Sequence, residues 1–169
     1  MTARTTTILN NLKAILATVI NGNSVSNLSE SHTYVNTLSG AEQVSRIVDL
    51  KKVSGDRPVV RIARGFVRTT RDGANIGGSV IKTLEITVAA VTQSIGSAAS
   101  PEAREDAAIE LEADLMAAIM SDQGLENGGA RVIDLLEIES VAVDGAQEFQ
   151  NKGLVVINIQ AGWHSRIGV

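Results

Sequence analysis

The sequence predicts an α+β fold: an antiparallel sheet of four to five strands, with an N-terminal helix and a central helix packed on one face. Three observations lead there. Residues 100–121 carry the strongest helical signal in the chain, with a cap at one end and glycines at the other. On either side lies a pair of alternating or continuous apolar runs, 58–70 with 79–92 and 131–143 with 154–163, each pair joined by a polar, glycine-containing tip. A second apolar stripe of helical period runs through residues 5–20.

In residues 5–20, Ile8, Leu12, Ile15 and Val19 follow a 4-3-4 spacing, widened by Leu9, Leu16 and Ile20. One of Thr5 to Thr7 serves as the cap, the exposed side is Asn and Thr rather than charge, and Asn21-Gly22-Asn23 ends the helix. Residues 21–43 are polar and without period, a long loop with a short strand at 34–38. A loop of that length inside a compact domain is usually functional or ordered by a partner. Residues 44–53 read as a strand.

In 58–70, Val60, Ile62 and Phe66 share one face, with Arg61 and Val67 on the other. Arg64 and Arg68 fall on the apolar parity, which calls for a bulge near Gly65. Leu84, Ile86, Val88 and Ala90 alternate with Thr83, Glu85, Thr87 and Ala89, the best strand in the chain, and the two strands form a hairpin. In the central helix Ser100 caps, Pro101 takes the first position, and Glu102, Glu105 and Asp106 complement the dipole. Ala108, Leu111, Leu115, Ala118 and Ile119 make its apolar face; Glu105, Asp106, Glu110, Glu112 and Asp114 make the opposite one. Gly124, Gly128 and Gly129 supply a turn tolerant of left-handed backbone. Leu136 and Ile138 then share one parity, while Leu135, Val141 and Val143 share the other. Asp144-Gly145 opens a turn, and the run from Leu154 to Ile159, extended to Trp163, closes a second hairpin.

No linker or repeat divides the 169 residues, so residues 1–169 read as a single domain. With four aromatics (Tyr34, Phe66, Phe149, Trp163), the core must be built from Val, Ile, Leu and Ala. Cysteine is absent, which excludes disulfides and thiolate metal sites. Asn10, Asn11 and Lys13 interrupt the first apolar run, arguing against a signal peptide, and no stretch approaches a membrane span.

Chemistry is hard to find. His32 and His164 lack the spacing of a zinc site, and no GxSxG frames a nucleophile. The glycine-rich stretch at 73–78 lacks the GK[ST] ending and leads into a strand, so it reads as a hairpin tip rather than a phosphate loop. Glu102, Glu105 and Asp106 could gather a divalent cation, but a solvated helix face explains them better. The expectation is therefore no catalytic, cofactor-binding or metal-binding residues, and no enzyme.

Charge is unevenly placed. Arg46, Lys51, Lys52, Arg57, Arg61, Arg64, Arg68 and Arg71 face only Asp49 and Asp56 in their stretch, whereas residues 102–148 hold acidic groups opposed by Arg104 and Arg131 alone. Two solvated faces of opposite sign, or complementary surfaces between copies of the chain, explain this equally well. The acidic total and scarcity of aromatics argue against sequence-specific nucleic-acid binding; nonspecific contact with a phosphate backbone stays open.

The order of elements and several runs of residues resemble the tail terminator (tail completion) proteins of long-tailed bacteriophages, the group that includes the minor tail protein U of phage lambda. The resemblance lies in the N-terminal amphipathic helix, the strand pair RPVVRIARGFVRTT and LEITVAAVTQ, and the helix EAREDAAIELEADLMAAIMSD. It continues through Asp122-Gln123-Gly124-Leu125-Glu126-Asn127-Gly128-Gly129 into RVIDLLEIESVAVDG and the closing apolar strand, spanning about residues 5–163. The polar segment 21–43 departs from the compact members.

The resemblance implies a virion structural protein, made in the host cytoplasm. It would form a hexameric ring on the end of the tail tube, stop tube polymerisation and join the tail to the head-neck connector. Its partners would be other copies of itself, the tail tube protein, connector or neck proteins and, where the tail contracts, the sheath; DNA would pass nonspecifically through the channel, and no membrane is involved. On that reading Arg57, Arg61, Arg64 and Arg68 would meet Glu105, Glu110, Glu112 and Asp114 across the subunit interface, or the acidic groups would line the channel. The loop at 21–43 and the tips at 71–78 and 144–152 would make axial contacts. The alternatives are another neck or head-completion protein, or a small cytoplasmic α+β ligand-binding domain or enzyme.

Overall fold

A computed structural model describes residues 4–26, 28–40, 42–46, 57–71, 79–96, 100–126, 129–144 and 151–166. Lys51, Lys52 and the hairpin tips at 72–78 and 145–150 lie outside the described residues. The elements follow in the order α1 (Arg4–Leu16), β1 (Ser24–Val25), β2 (His32–Thr33), β3 (Val44–Ser45), β4 (Val59–Arg71), β5 (Ser79–Val91), α2 (Pro101–Ser121), β6 (Leu135–Asp144) and β7 (Leu154–Arg166). They make an α+β fold with one five-stranded sheet, in the order β3-β4-β5-β7-β6, and a two-stranded β1-β2 ribbon. Each of the four long strands is antiparallel to its neighbour, β4 with β5 and β6 with β7 as the two expected hairpins require, and β5 with β7 between them. The two-residue β3 joins the edge in parallel, pairing Val44 with Val60, which makes the sheet mixed.

Period-2 alternation sets which face is covered. Leu84, Ile86, Val88 and Ala90 of β5 and Val155, Ile157, Ile159 and Ala161 of β7 are buried, joined by Val60 and Ile62 of β4. Helix α1 lays Ile8, Leu9, Leu12 and Leu16 on this core, and α2 lays Ala108, Leu111, Leu115, Ala118 and Ile119 on it. Each fully buried aliphatic side chain stabilises by about 1.5–3 kcal/mol relative to exposure. Where α2 crosses the start of β7 the backbones nearly touch. A Cβ on Gly153 would strike the Arg104 carbonyl oxygen and come within 2.6 Å of Ala108 Cβ.

Two bulges reconcile sequence parity with burial. In β4 the register shifts between Arg64 and Val67, leaving Gly65 and Phe66 opposite Glu85. Glycine is required there because a Cβ would lie 2.9 Å from Glu85 Cβ. Beyond the shift Val67, not Phe66, pairs with the buried Leu84, and Phe66 is 79% exposed. Its expected place beside Val60 and Ile62 is thus corrected by the extra residue of the bulge. A second shift between Ile138 and Ser140 brings Leu136, Ile138, Val141 and Val143 onto one face, each half-buried against the core.

Other expectations need adjustment. Helix α1 stops at Leu16 and tightens into turns closed by Thr18 N–H to the Ile15 carbonyl (3.0 Å) and Val19 N–H to that of Leu16 (3.4 Å). Val19 stays buried while Ile20 turns outward. No strand forms at 34–38 among the described residues; Tyr34 instead exchanges backbone bonds with Gly22 and Asn23, 2.9 Å each. After α2 the left-handed residue is Leu125 (φ 44°), with Gly129 (φ 82°) following, rather than Gly124. Burial of the Leu125 side chain and a 2.8 Å bond from Asn11 Nδ2 to its carbonyl hold that conformation.

Candidate functional site

The polar segment at 21–43 is fixed by one residue of α2. Asp114 was expected on the exposed acidic face; instead its side chain is 0% exposed and sits under the loop. This follows from its position: it lies three residues after Leu111 and four before Ala118, inside the apolar stripe. Its carboxylate accepts from His32 Nε2 (2.7 Å), the Val35 amide (3.1 Å), the Asn36 amide (2.7 Å) and Asn36 Nδ2 (2.9 Å). A buried charge is tolerated when donors converge on it this way. His32 is 27% exposed and meets the Tyr34 ring edge-on at 5.7 Å. Burial, with the Asp114 charge adding to it, pushes the Tyr34 hydroxyl above its usual range, so it stays neutral.

A second buried amide closes the far end of the loop. Gln43 Nε2 donates to the carbonyls of Thr37 (2.8 Å) and Pro58 (3.0 Å), and its Oε1 accepts from the Gly40 amide (2.8 Å). Between these clamps lies a cleft of about 610 Å³ walled by loop residues 35–37, 39 and 40, with Arg57, Thr92, Gln93 and Glu110. Arg57 and Glu110 therefore border one cleft within a single chain. The lining offers amides, hydroxyls and one charge of each sign.

The other expected residues are dispersed. Arg61, half-buried, donates through Nη1 to the carbonyls of Val60 (3.1 Å), Glu42 (3.3 Å) and Gln43 (3.4 Å). Burial lowers its pKa, with Glu42 opposing, and a guanidinium stays charged regardless. Arg64 is exposed, and Arg68 Nη2 reaches Glu85 Oε1 at 2.6 Å on the open face of the sheet. Glu105 and Glu110 are exposed on α2 and Glu112 is half-buried. Apart from Arg57 with Glu110, the structure does not bring the basic and acidic sets together within one chain. His164, at the surface, pairs through Nδ1 with Asp134 Oδ2 (3.0 Å), and its amide donates to the same oxygen (2.8 Å). That amide bond and then the imidazole bond hold the Asp134 carboxyl below its usual range.

The open face of the sheet is polar along its middle. Thr87 Oγ1 donates to Asn158 Oδ1 (2.9 Å), whose Nδ2 donates to Ser140 Oγ (2.9 Å), one chain of bonds across β5, β7 and β6. Among the described residues no helix is long and apolar enough to cross a membrane. No protein-family model matches the chain, and no curated protein matches it.

Proposed function

We propose that this chain is a virion structural protein, a tail terminator. It forms a hexameric ring on the end of a phage tail tube, stops polymerisation and joins the tail to the head-neck connector, without catalysis. The observation that carries this reading is the clamp at Asp114: a long polar loop, which would otherwise cost much conformational entropy to order, is fixed against the central helix by a buried carboxylate. Such a device stiffens an exposed loop for docking, with Val35 presented outward. Tube subunits polymerising in the presence of the purified chain should stop short, with a ring visible on tube ends by negative stain. The cleft bordered by Arg57 and Glu110 favours a second reading, a small ligand-binding domain. A tight monomer that leaves tube length unchanged and binds a small molecule saturably would replace the first reading with the second.

A further inference from the structure

The cleft between the two loop clamps is held open by bonds that leave four of its polar side chains unused. Asn36 gives its Nδ2 to Asp114, and Gln43 ties the Thr37 and Pro58 carbonyls to the Gly40 amide. Elsewhere in the wall Thr92 Oγ1 accepts from the Gly153 amide (2.9 Å) and donates to the Gln93 carbonyl (3.0 Å). The Ile95 amide donates to the Asn151 carbonyl (3.0 Å). The walls are thus fixed before any ligand arrives, which lowers the cost of binding. Ser39, Arg57, Gln93 and Glu110 line the same cleft, and among the described residues no side-chain hydrogen bond or ion pair holds them.

Two of the four are opposite charges. Glu110 stands one turn before Asp114, on the face of α2 that the loop crosses, and Arg57 precedes Pro58, whose carbonyl Gln43 holds. No ion pair joins them, so neither charge neutralises the other. A ligand with one charge meets an attraction and a repulsion there; a ligand with both meets two attractions. Val35, Pro58, Ile95 and Ala107 supply apolar surface alongside. The volume of about 610 Å³ lies within the range of roughly 300–1,000 Å³ usual for small-molecule sites. We propose that this cleft binds a small zwitterion, an α-amino acid or dipeptide with an apolar side chain, its carboxylate toward Arg57 and its ammonium toward Glu110. Gln93 and Ser39 offer neutral donors and acceptors for its remaining polar groups. Such a site rests on the ligand-binding reading of the cleft, not on the terminator reading.

The test titrates the full chain with L-leucine and with L-alanyl-L-leucine by calorimetry, and locates the contact by amide NMR. L-leucinamide, without the carboxylate, and N-acetyl-L-leucine, without the ammonium, are the controls. At least one zwitterion should saturate a single site, and the tighter of the two shows whether a free amino acid or a peptide is the source. Each control should bind at least about tenfold more weakly, as loss of one charge-assisted contact requires. The Gly40 and Gln93 amides should shift on binding. Arg57→Gln and Glu110→Gln, both at exposed positions, should melt as wild type does and weaken zwitterion binding at least about tenfold. Arg57→Gln should also remove the preference for leucine over leucinamide, and Glu110→Gln the preference over N-acetyl-leucine. The proposal is overturned if neither zwitterion saturates by about 10 mM, if the controls bind as tightly, if the variants bind as wild type does, or if the shifts fall on other residues. Controls and zwitterions that bind the cleft alike discard the zwitterion and leave the ligand-binding reading standing. Tube length, read separately, decides the terminator reading whatever these titrations give.

Discussion

Replacing Asp114 with Ala removes the acceptor at the centre of the clamp. Four donor groups lose it: His32 Nε2, the amides of Val35 and Asn36, and Asn36 Nδ2, all at 2.7–3.1 Å. Hydrogen bonds to a charged acceptor contribute about 1.5–3 kcal/mol each, but these donors are only part-buried and water can take over some of them. The buried charge also vanishes with the substitution, which recovers part of its desolvation cost. A net loss of about 3 kcal/mol is therefore expected, not the sum of the bonds. For a chain of this size that lowers Tm by roughly 6–12 °C. The loss should register globally, because Tyr34 and Leu38 tie the same loop into the core. Asp114→Asn keeps the volume but turns an amide N–H₂ toward donors, and should lose about 2 kcal/mol. Thermal and urea unfolding give the magnitude, and hydrogen exchange resolves the place: the amides of Val35 and Asn36 should lose protection first. A loss below about 1 kcal/mol, with those two amides still protected, would show that the carboxylate does not hold the loop.

Three further outcomes are expected. Gly153→Ala forces α2 away from β7, and overpacking of this kind costs about 1–3 kcal/mol, measured by urea denaturation. Asp134 has a folded pKa below its unfolded value, so its contribution is present above the unfolded pKa and lost as pH falls through the folded one. The stability gap between wild type and Asp134→Asn should accordingly close as pH drops below about 4, followed by Tm against pH. Reversing Glu105, Glu110 and Glu112 to Lys together leaves the buried Asp114 intact. If the acidic helix face meets a neighbouring copy, ring formation at low salt should weaken; unchanged rings would remove that face from the interface.

Much of the frame was legible from single residues. The parity conflict between Ile62 and Arg68 announced a bulge, and Gly65 marked where it had to fall. The same kind of conflict between Ile138 and Val141 went unread, since no glycine stood there to signal an extra residue. Asp114 was missed because its neighbours Glu110 and Glu112 suggested a solvated face; the overlooked signal was its three- and four-residue spacing from Leu111 and Ala118. Nothing local could reveal its partners, which lie far away in sequence on a loop without periodicity. The β1–β2 ribbon escaped for a simpler reason: two residues cannot show a period of two. β3 opens the stretch 44–53 that reads as a strand, of which 47–53 lie outside the described residues. Phe66 departs from the parity of Val60 and Ile62 because the Gly65 bulge adds a residue just before it, which parity alone does not convey.

The pairing of β5 with β7 has a consequence for how the chain reaches this structure. Each hairpin, β4–β5 and β6–β7, joins neighbours in sequence, so its closure is quick. The seam between them pairs Val91 with Leu154 and Ser79 with Arg166, across the whole of α2 and the second hairpin. Loop-closure entropy must be met at that seam before its apolar contacts give anything back. The two hairpins are thus expected to form early as separable units, with their docking along β5 and β7, α2 folded over the junction, as the slow step. Until then both hairpins expose an apolar face and a free strand edge, which makes this interval the one most exposed to misassociation between nascent chains.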